Sequence, residues 1–249
     1  MKNLRRLIRE ERLTFGTWMQ IPHVAIAEIL ADIGFDWVCV DLEHGAINIE
    51  SLADIFRILN RCDVSPVVRV PYNDPTWIHR SLDAGAGGII VPMIKNCSEA
   101  RNAVAECKYP PHGDRGFGFS VANMYGNNFK DYIERANNEI AVILQVEHKD
   151  ILQDLHNIVA MDDVDATFVG PYDLSGTLGH CGDFDHPIVE KALREYMETC
   201  SYHKKPAGIH VVEPDRGAVQ QAVNQGYRFI AVGIDALFLR SGAKMASIR

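Results

Sequence analysis

Several side chains that can bind metal ions or transfer protons stand at or just beyond short apolar runs of this 249-residue sequence. They occur in the segments Asp41-Leu42-Glu43-His44, Gln145-Val146-Glu147 and Gly170-Pro171-Tyr172-Asp173, and at Arg69 and His210. Carboxylates bind hard divalent cations, a guanidinium binds carboxylate or enolate oxygens, and histidine transfers protons near neutral pH. These residue types indicate acid–base or metal-assisted chemistry, provided that the fold brings them together.

Glu147 and Asp173 are the candidate metal ligands. Glu147 follows an apolar run, and a carboxylate at the end of a buried strand needs a cation or hydrogen bonds because burying a lone charge is costly. Asp173 follows the next strand and can point into the same opening, where two carboxylates with water oxygens suit Mg²⁺ or Mn²⁺. The residues alone leave another interpretation open, in which Glu147 pairs with a Lys or Arg and Asp173 caps a turn.

Arg69 and His44 are the candidate catalytic residues. Arg69 lies within a strand-like run, where its guanidinium either faces the opening or forms a structural ion pair with a core carboxylate. His44 has Asp41 and Glu43 as neighbours that could orient its ring for proton transfer, but a loop histidine can equally be a surface residue. His210, at the end of a later strand, is open to the same two interpretations.

Strand-like runs alternate with segments of helical period along the whole chain. The predicted strands are residues 15–19, 37–40, 66–70, 88–91, 140–146, 166–169, 206–209 and 229–232, each followed by a predicted helix. This alternation predicts an α/β fold, a single (β/α)8 TIM barrel that occupies residues 1–249 as one domain. Because catalytic side chains of such barrels lie at the carboxyl ends of the strands, the candidates above are expected to share one mouth.

Charge and composition argue against several classes of protein. The chain has 25 Lys plus Arg and 33 Asp plus Glu, a formal net charge of −8, which disfavours nucleic acid and anionic membranes as partners. It has no apolar stretch of membrane-spanning length, no secretory signal pattern and no CxxC pair among its six cysteines, so we expect a cytoplasmic protein with reduced thiols. No GxGxxG follows a strand, while Lys95 and Lys149 leave covalent amine catalysis as a minor alternative.

With these positions assembled, the sequence resembles the HpcH/HpaI aldolase family, the metal-dependent 2-oxo-acid aldolases of the phosphoenolpyruvate/pyruvate-binding barrel superfamily. The resemblance extends over nearly the whole chain. It is carried by ordered motifs, most of them at strand ends, namely Gly34-Phe35-Asp36-Trp37, Asp41-Leu42-Glu43-His44, Val68-Arg69-Val70-Pro71, Asn73-Asp74-Pro75, Asp83-Ala84-Gly85-Ala86, Val91-Pro92-Met93, Tyr109-Pro110-Pro111, Arg115-Gly116, Gln145-Val146-Glu147, Gly170-Pro171-Tyr172-Asp173-Leu174-Ser175 and Ala231-Val232-Gly233-Ile234-Asp235.

The resemblance implies a substrate and a metal site. Glu147 and Asp173 would hold a divalent ion (Mg²⁺, Mn²⁺ or Co²⁺), and Gln145 would lie beside it. The backbone amides around Gly170, Tyr172 and Asp173 would bind the carboxylate of pyruvate.

It also implies catalytic roles. Arg69 would bind the ketone oxygen of the substrate and stabilise the enolate as charge develops there. His44, oriented by Asp41, would transfer the proton of the aldol hydroxyl. Asp83 would assist from a neighbouring subunit.

The implied reaction is the reversible cleavage of a 4-hydroxy-2-oxo acid, for example a 2-keto-3-deoxy sugar acid, into pyruvate and an aldehyde. The family further implies a homo-oligomer, a hexamer built from dimers that exchange their last helix, near residues 236–246. Two alternatives are a citryl- or malyl-CoA-type thioester lyase and a non-catalytic barrel that binds an oxo acid. Residues 116–128 are more aromatic and amide-rich than the family pattern, and they either contact a larger aldehyde or form a subunit interface.

Overall fold

The computed structural model describes residues 3–247 and shows a closed barrel of parallel strands in which β1 pairs with both β2 and β8. The strands are β1 (Thr14–Met19), β2 (Trp37–Asp41), β3 (Ser65–Arg69), β4 (Gly88–Val91), β5 (Ala141–Val146), β6 (Ala166–Val169), β7 (Ala207–Val211) and β8 (Phe229–Ile234). The predicted TIM barrel is confirmed. The single domain over residues 1–249 stays a prediction, and its first two and last two residues lie outside the described range.

Helices follow the strands around the outside of the barrel. They are α1 (Leu4–Arg9), α2 (Val24–Ile33), α3 (Ile49–Arg61), α4 (Pro75–Asp83), α5 (Cys97–Cys107), α6 (Phe129–Glu139), α7 (Leu155–Val159), α8 (Pro171–Thr177), α9 (Pro187–Tyr202), α10 (Arg216–Asn224) and α11 (Asp235–Ala246). Short 3₁₀ helices cover Val121–Gly126 and Lys149–Gln153. The predicted helix after β5 is therefore split into a 3₁₀ turn and the short α7.

Aromatic side chains fill much of the barrel interior. Trp37 and Phe229 stack there with ring centroids 4.3 Å apart, and Phe168 meets Phe229 edge-on at 5.7 Å. This inner cluster is separate from the larger apolar layer between the strands and the helices. The packed interior makes the barrel a rigid support, so the chemistry is confined to its ends.

Helix α1, which the sequence analysis did not predict, packs against the inner cluster. Leu4 and Ile8 stand one turn apart on the same helix face, and both are buried among the interior residues. The side chain of Asn3 caps the helix by accepting a hydrogen bond from the backbone amide of Arg6. Three arginines interrupt the apolar residues of this six-residue helix, so the sequence shows no clear helical periodicity there.

Helix α8 begins directly after β6, in a segment for which the sequence predicted no helix. Pro171 occupies its first turn, where a missing N–H costs nothing, and Gly170 precedes it. Seven residues are too few for a clear helical period. The helix places Tyr172 and Asp173 in its first turn, at the rim of the barrel.

The aromatic segment 116–128 runs along the outer wall of the barrel. Its 3₁₀ helix contacts α4 and α6, and the Tyr125 hydroxyl accepts a hydrogen bond of 2.9 Å from Nη2 of Arg57 on α3. Met124 and Tyr125 adopt left-handed backbone conformations (φ 53° and 55°), and both side chains are exposed. This segment does not line the mouth of its own barrel, so its role stays a prediction.

Two further expectations concern the surroundings of the protein. All six cysteines lie in the described part of the chain, and each is a free thiol. Among the helices that the structure describes, none is both long and apolar enough to cross a membrane.

Candidate active site

A cavity of about 860 Å³ opens at the carboxyl ends of the strands and extends outwards between α9 and α10. Most of the residues predicted to form the site line this cavity, namely Asp41, His44, Arg69, Gln145, Gly170, Tyr172, Asp173 and His210. Glu147 lies directly behind this lining, in contact with Gln145. The fold therefore gathers residues from β2, β3, β5, β6 and β7 at one mouth.

Asp41 and Arg69 form a buried ion pair at the ends of neighbouring strands, where their Cα atoms are in register. The Arg69 Nε donates to Oδ1 of Asp41 at 3.0 Å, and its Nη2 donates to Oδ2 at 2.9 Å. Its Nη1 lies 2.9 Å from Oε2 of Glu43. A guanidinium carries five N–H groups, and the two hydrogen bonds to Asp41 use one on Nε and one on Nη2, so N–H groups remain on both terminal nitrogens for a ligand.

The pair stays ionised. Burial alone raises the pKa of Asp41, but the hydrogen bonds and positive charge of Arg69 outweigh it, so the pKa of Asp41 is lowered overall. Burial lowers the pKa of Arg69, and the hydrogen bonds and charge of Asp41 outweigh that effect, so the pKa of Arg69 is raised. Arg69 therefore both forms a structural ion pair and faces the opening of the barrel, since the pair lines the mouth.

Two residues that the sequence analysis did not single out complete the support of this pair. The Arg69 guanidinium carbon lies 4.4 Å from the ring centroid of Trp18, a cation–π contact. Gln20 donates from Nε2 to Oδ2 of Asp41 at 2.8 Å. Gln20 comes directly after β1, so the strand-end rule could have found it. Glu43 was considered only as a neighbour of His44, whereas it also contacts Arg69.

Glu147 is a buried carboxylate that accepts two hydrogen bonds and forms no salt bridge with a described residue. Oε1 accepts from the backbone amide of Met93 at 2.7 Å, and Oε2 accepts from Nε2 of Gln145 at 2.6 Å. Met93 follows β4 in a left-handed conformation (φ 55°), a strained state for a side chain of this kind. That conformation aims its amide at the carboxylate, a contact that no sequence pattern indicates.

Burial raises the pKa of Glu147 to about 7, against the opposing effect of the Met93 amide. The negative charges of Glu43 and Asp173 contribute to this raised pKa, and the positive charge of Arg69 opposes it. The Oε1 atom of Gln145 is also buried and has no hydrogen-bond partner within the described residues. A buried carboxylate, a second carboxylate in the lining and an unpaired amide oxygen are oxygen donors that suit Mg²⁺, Mn²⁺ or Co²⁺, so these residues fit a divalent ion.

No group of three or more His, Cys, Asp or Glu side chains in the described range is placed to hold a metal ion by itself. A site built on Glu147 and Asp173 therefore depends on further oxygen ligands from water and substrate. Such open coordination is the usual arrangement at catalytic metal sites that bind substrate directly.

Gly170 allows this arrangement because a side chain there would enter the carboxylate cluster. A Cβ atom at position 170 would lie 2.9 Å from Oε2 and 3.0 Å from Cβ of Glu147. Replacing Gly170 with alanine is therefore expected to displace Glu147 and to weaken Mn²⁺ binding at least tenfold, measured by calorimetric titration. Gly176→Ala in the same helix is the control, since its Cβ would meet Cys181 at an ordinary 3.9 Å. Equal Mn²⁺ affinities of the two variants would contradict the assignment.

His44 and Asp83 occupy different surroundings. Asp41 accepts a hydrogen bond from the backbone amide of His44 at 3.3 Å, whereas the exposed ring of His44 has Glu43 nearest, with Nε2 3.9 Å from Oε2. Asp83 ends α4, away from the mouth of its own chain, and its carboxylate accepts from Nη2 of the buried Arg115 at 2.8 Å. A contribution of Asp83 to a neighbouring site stays a prediction.

Known proteins of similar sequence and fold place this arrangement in context. Residues 14–241 match the model of the family described as HpcH/HpaI aldolase/citrate lyase. The chain is 35% identical to a hydroxypyruvate/pyruvate aldolase of Roseobacter denitrificans, with 99% of this chain and 96% of that protein covered. It is 34% identical to a 4-hydroxy-2-oxo-heptane-1,7-dioate aldolase of Salmonella dublin, with 100% and 95% covered.

A solved structure agrees with this assignment. The crystal structure of an HpcH/HpaI aldolase/citrate lyase family protein from Burkholderia cenocepacia has a TM-score of 0.92 and 34% identity, with 99% of this chain and 98% of that chain covered. The similarity spans the whole barrel, including every strand end that contributes to the mouth. The chain therefore belongs to the HpcH/HpaI aldolase/citrate lyase family and is an enzyme of the lyase class.

Proposed function

We propose that the protein is an aldolase that cleaves a 4-hydroxy-2-oxo acid reversibly into pyruvate and an aldehyde, with a divalent ion held by Glu147 and Asp173. The observation that carries the proposal is the buried carboxylate of Glu147, which has no salt-bridge partner among the described residues, beside a mouth that contains a fixed arginine. When bound, the ion supplies Lewis-acid polarisation of the substrate ketone. The full-length similarity to proteins named as aldolases supports the same reaction class.

Arg69 stabilises the charge that develops on the ketone oxygen. Cleavage of the bond between C3 and C4 sends its electron pair towards C2, so the ketone oxygen becomes an enolate oxygen. The terminal N–H groups of Arg69 that its hydrogen bonds to Asp41 leave unused are available to donate to that oxygen. Because Asp41 and Glu43 hold the guanidinium beforehand, little reorganisation is needed when the charge appears.

His44 is the proposed base for the hydroxyl at C4. The ring of His44 lines the mouth and is accessible to substrate. The hydrogen bond from its backbone amide to Asp41 holds the backbone from which the ring extends. Removing the C4 hydroxyl proton lets that carbon become the aldehyde carbonyl, and C3 then takes up a proton to give pyruvate.

The first-turn amides of α8 at Tyr172 and Asp173 are the proposed donors to the substrate carboxylate, since amides in a first helical turn lack intrahelical partners.

The charges of the cavity favour this reaction over cleavage of a coenzyme A thioester. The arginines in the described lining are Arg69, which is paired with Asp41 and Glu43, and Arg194, whose Nη1 lies 3.5 Å from Oε1 of Glu190. A coenzyme A molecule needs cations for its phosphates. Neither arginine is free of a carboxylate partner.

Metal removal tests the proposed function. Pyruvate release from a 4-hydroxy-2-oxo acid is expected to disappear after dialysis against EDTA and to return with Mg²⁺, Mn²⁺ or Co²⁺. Exchange of the methyl protons of pyruvate in D₂O should follow the same pattern, and it tests enolate formation without knowledge of the aldehyde. Turnover that survives complete chelation would overturn the proposal.

We also propose that the protein is a homo-oligomer in which copies exchange α11. Within the described residues, Asp235 is the single buried residue of α11, and Leu239 is 64% exposed. A groove of about 480 Å³ lies over β1 and β8, where a last barrel helix would pack, and its apolar lining includes Phe15, Phe35 and Val223. An exposed apolar side chain on the last helix and an uncovered apolar groove on the same chain support an exchange between two copies.

Replacing Leu239 with glutamate is expected to weaken this assembly, because a charge would enter an apolar contact. Light scattering across a dilution series should show the midpoint of dissociation at a concentration at least tenfold higher than for the wild type. Tyr202→Glu on α9 is the matched control, since Tyr202 is 77% exposed and lies away from the groove. Identical masses of both variants at every concentration would refute the exchange.

A further inference from the structure

His210 lines the cavity at the end of β7, yet the proposed mechanism does not use it. Its Nε2 lies 3.0 Å from the carbonyl oxygen of Gly233. A carbonyl oxygen only accepts hydrogen bonds, so Nε2 must carry the proton. In the neutral ring, Nδ1 is then an acceptor with a free lone pair, and His210 makes no other hydrogen bond within the described chain.

The ring is fixed from two sides. Gly233 has a left-handed backbone (φ 64°) and no room for a side chain, since a Cβ atom would lie 2.3 Å from the ring of Phe238. Its carbonyl oxygen also accepts from Oγ1 of Thr17 at 3.3 Å, which holds the carbonyl in place. The ring centroid of His210 lies 5.5 Å from that of Trp18. The tautomer and the orientation of the ring are therefore set by the fold.

The imidazole stays neutral in this position. Burial lowers the pKa of His210 to about 4, and the positive charge of Arg69 acts in the same direction. The Gly233 carbonyl and the negative charge of Asp41 act against this lowering. Near neutral pH the ring thus presents a lone pair to the cavity and does not present a positive charge.

His210 comes from a different strand than the groups that would bind the oxo acid. Those groups come from β3, β5 and α8, whereas His210 belongs to β7, beside the part of the cavity that continues between α9 and α10. Asp185 and the paired Arg194 and Glu190 line that part, so it offers no free cation for a second carboxylate. The methyl group of pyruvate offers no donor to Nδ1. A hydroxyl group complements this site.

We propose, on the basis of the function proposed above, that Nδ1 of His210 is a specificity-determining acceptor for a hydroxyl group that the substrate carries next to the bond that is made or broken. Two sources have this chemistry. One is the hydroxyl of a 2-hydroxyaldehyde, and the other is a hydroxyl on C3 of the 2-oxo acid. A bound hydroxyl donates to Nδ1, and a substrate without it leaves the lone pair unpaired in the complex.

Matched substrate pairs test the proposal on the holoenzyme with Mn²⁺. The first pair is glycolaldehyde and acetaldehyde, each with pyruvate, and the second is hydroxypyruvate and pyruvate, each with one common aldehyde. The kcat/KM ratio of the hydroxylated to the plain substrate is measured for the wild type and for His210→Leu and His210→Phe, which both remove the acceptor. His210→Phe keeps the aromatic contact with Trp18, so it serves if the leucine variant does not fold.

We expect the ratio to fall about tenfold in both variants for one of the two pairs, and that pair identifies the source of the hydroxyl. His210→Gln, whose amide oxygen can accept, should recover part of the ratio. Val212→Ala is the control, since Val212 lines the same cavity without a polar side-chain atom, and it should change both members of each pair in parallel.

Ratios that stay unchanged for both pairs in both variants would overturn the assignment of His210 alone, provided that the wild type exchanges the methyl protons of pyruvate. A wild-type holoenzyme that neither exchanges these protons nor releases pyruvate would overturn the proposed function, and the role of His210 with it. The exchange measurement thus separates the two failures.

Discussion

Replacing Arg69 with methionine is expected to lower kcat/KM for pyruvate release by about a thousandfold and to destabilise the fold at the same time. The loss of activity follows from losing a fixed donor to the developing enolate, an effect of about 10²–10³ when a single such donor is removed. The loss of stability follows from Asp41, which has no exposed surface and would keep its charge without its partner. Breaking a buried pair from one side costs about 3–5 kcal/mol, measured by denaturant unfolding.

A double variant separates the two effects. Asp41→Asn combined with Arg69→Met removes the buried charge together with its partner, so much of the lost free energy of unfolding should return while the activity stays low. Gln20 can still donate to the asparagine side-chain oxygen, as it does to Oδ2 of Asp41. If the double variant is as unstable as Arg69→Met, the burial of Asp41 is not the cause. If Arg69→Met retains near-normal turnover, Arg69 has no part in the mechanism.

Most strands of this barrel were predictable because they are buried along most of their length. Residues 37–40 of β2 and 141–144 of β5, for example, are buried apolar runs, and a polar residue, Asp41 or Gln145, follows each of them. The rule that chemistry lies at the carboxyl ends of such strands then selects Asp41, Arg69 and Glu147. Burial that recurs from strand to strand is a strong signal, which is why the fold and most of the mouth followed from the sequence.

The contacts between those residues were not predictable to the same extent. The register that sets Asp41 beside Arg69 depends on how two strands slide against each other, and neither strand encodes this alone. The amide of Met93 contributes through a backbone angle, and the tautomer of His210 depends on a carbonyl of β8. These features depend on tertiary structure and leave no residue pattern in the sequence.

We expect the carboxylate of Glu147 to make the metal-free protein less stable as the pH rises. An acid whose pKa is raised from 4.5 to about 7 in the folded state holds its proton more tightly there than in the unfolded chain. The contribution of Glu147 to stability is therefore fully present below pH 4.5, is lost as the pH rises from 4.5 through 7, and stays lost above it. The difference corresponds to about 3 kcal/mol, which urea unfolding in EDTA at pH 5, 6, 7 and 8 would resolve.

Glu147→Gln should remove this part of the pH dependence, and it should abolish turnover that added Mn²⁺ cannot restore. A glutamine at position 147 can keep the hydrogen bond from Met93 through its amide oxygen. The amide group of Gln145 can rotate so that its Oε1, which has no partner in the wild type, accepts from the amide nitrogen of the new glutamine. Glu190→Gln, an exposed carboxylate elsewhere in the cavity lining, is the control and should follow the wild-type curve.

Mn²⁺ should stabilise the wild type more at pH 8 than at pH 5.5, because an ion competes with the proton for the same carboxylate. It should stabilise Glu147→Gln little at either pH. If the free energies of unfolding of the wild type and Glu147→Gln change with pH in the same way in EDTA, burial does not raise the pKa of this carboxylate. Equal stabilisation of both proteins by Mn²⁺ at pH 8 would instead place the ion elsewhere, so the two measurements test the electrostatics and the metal site separately.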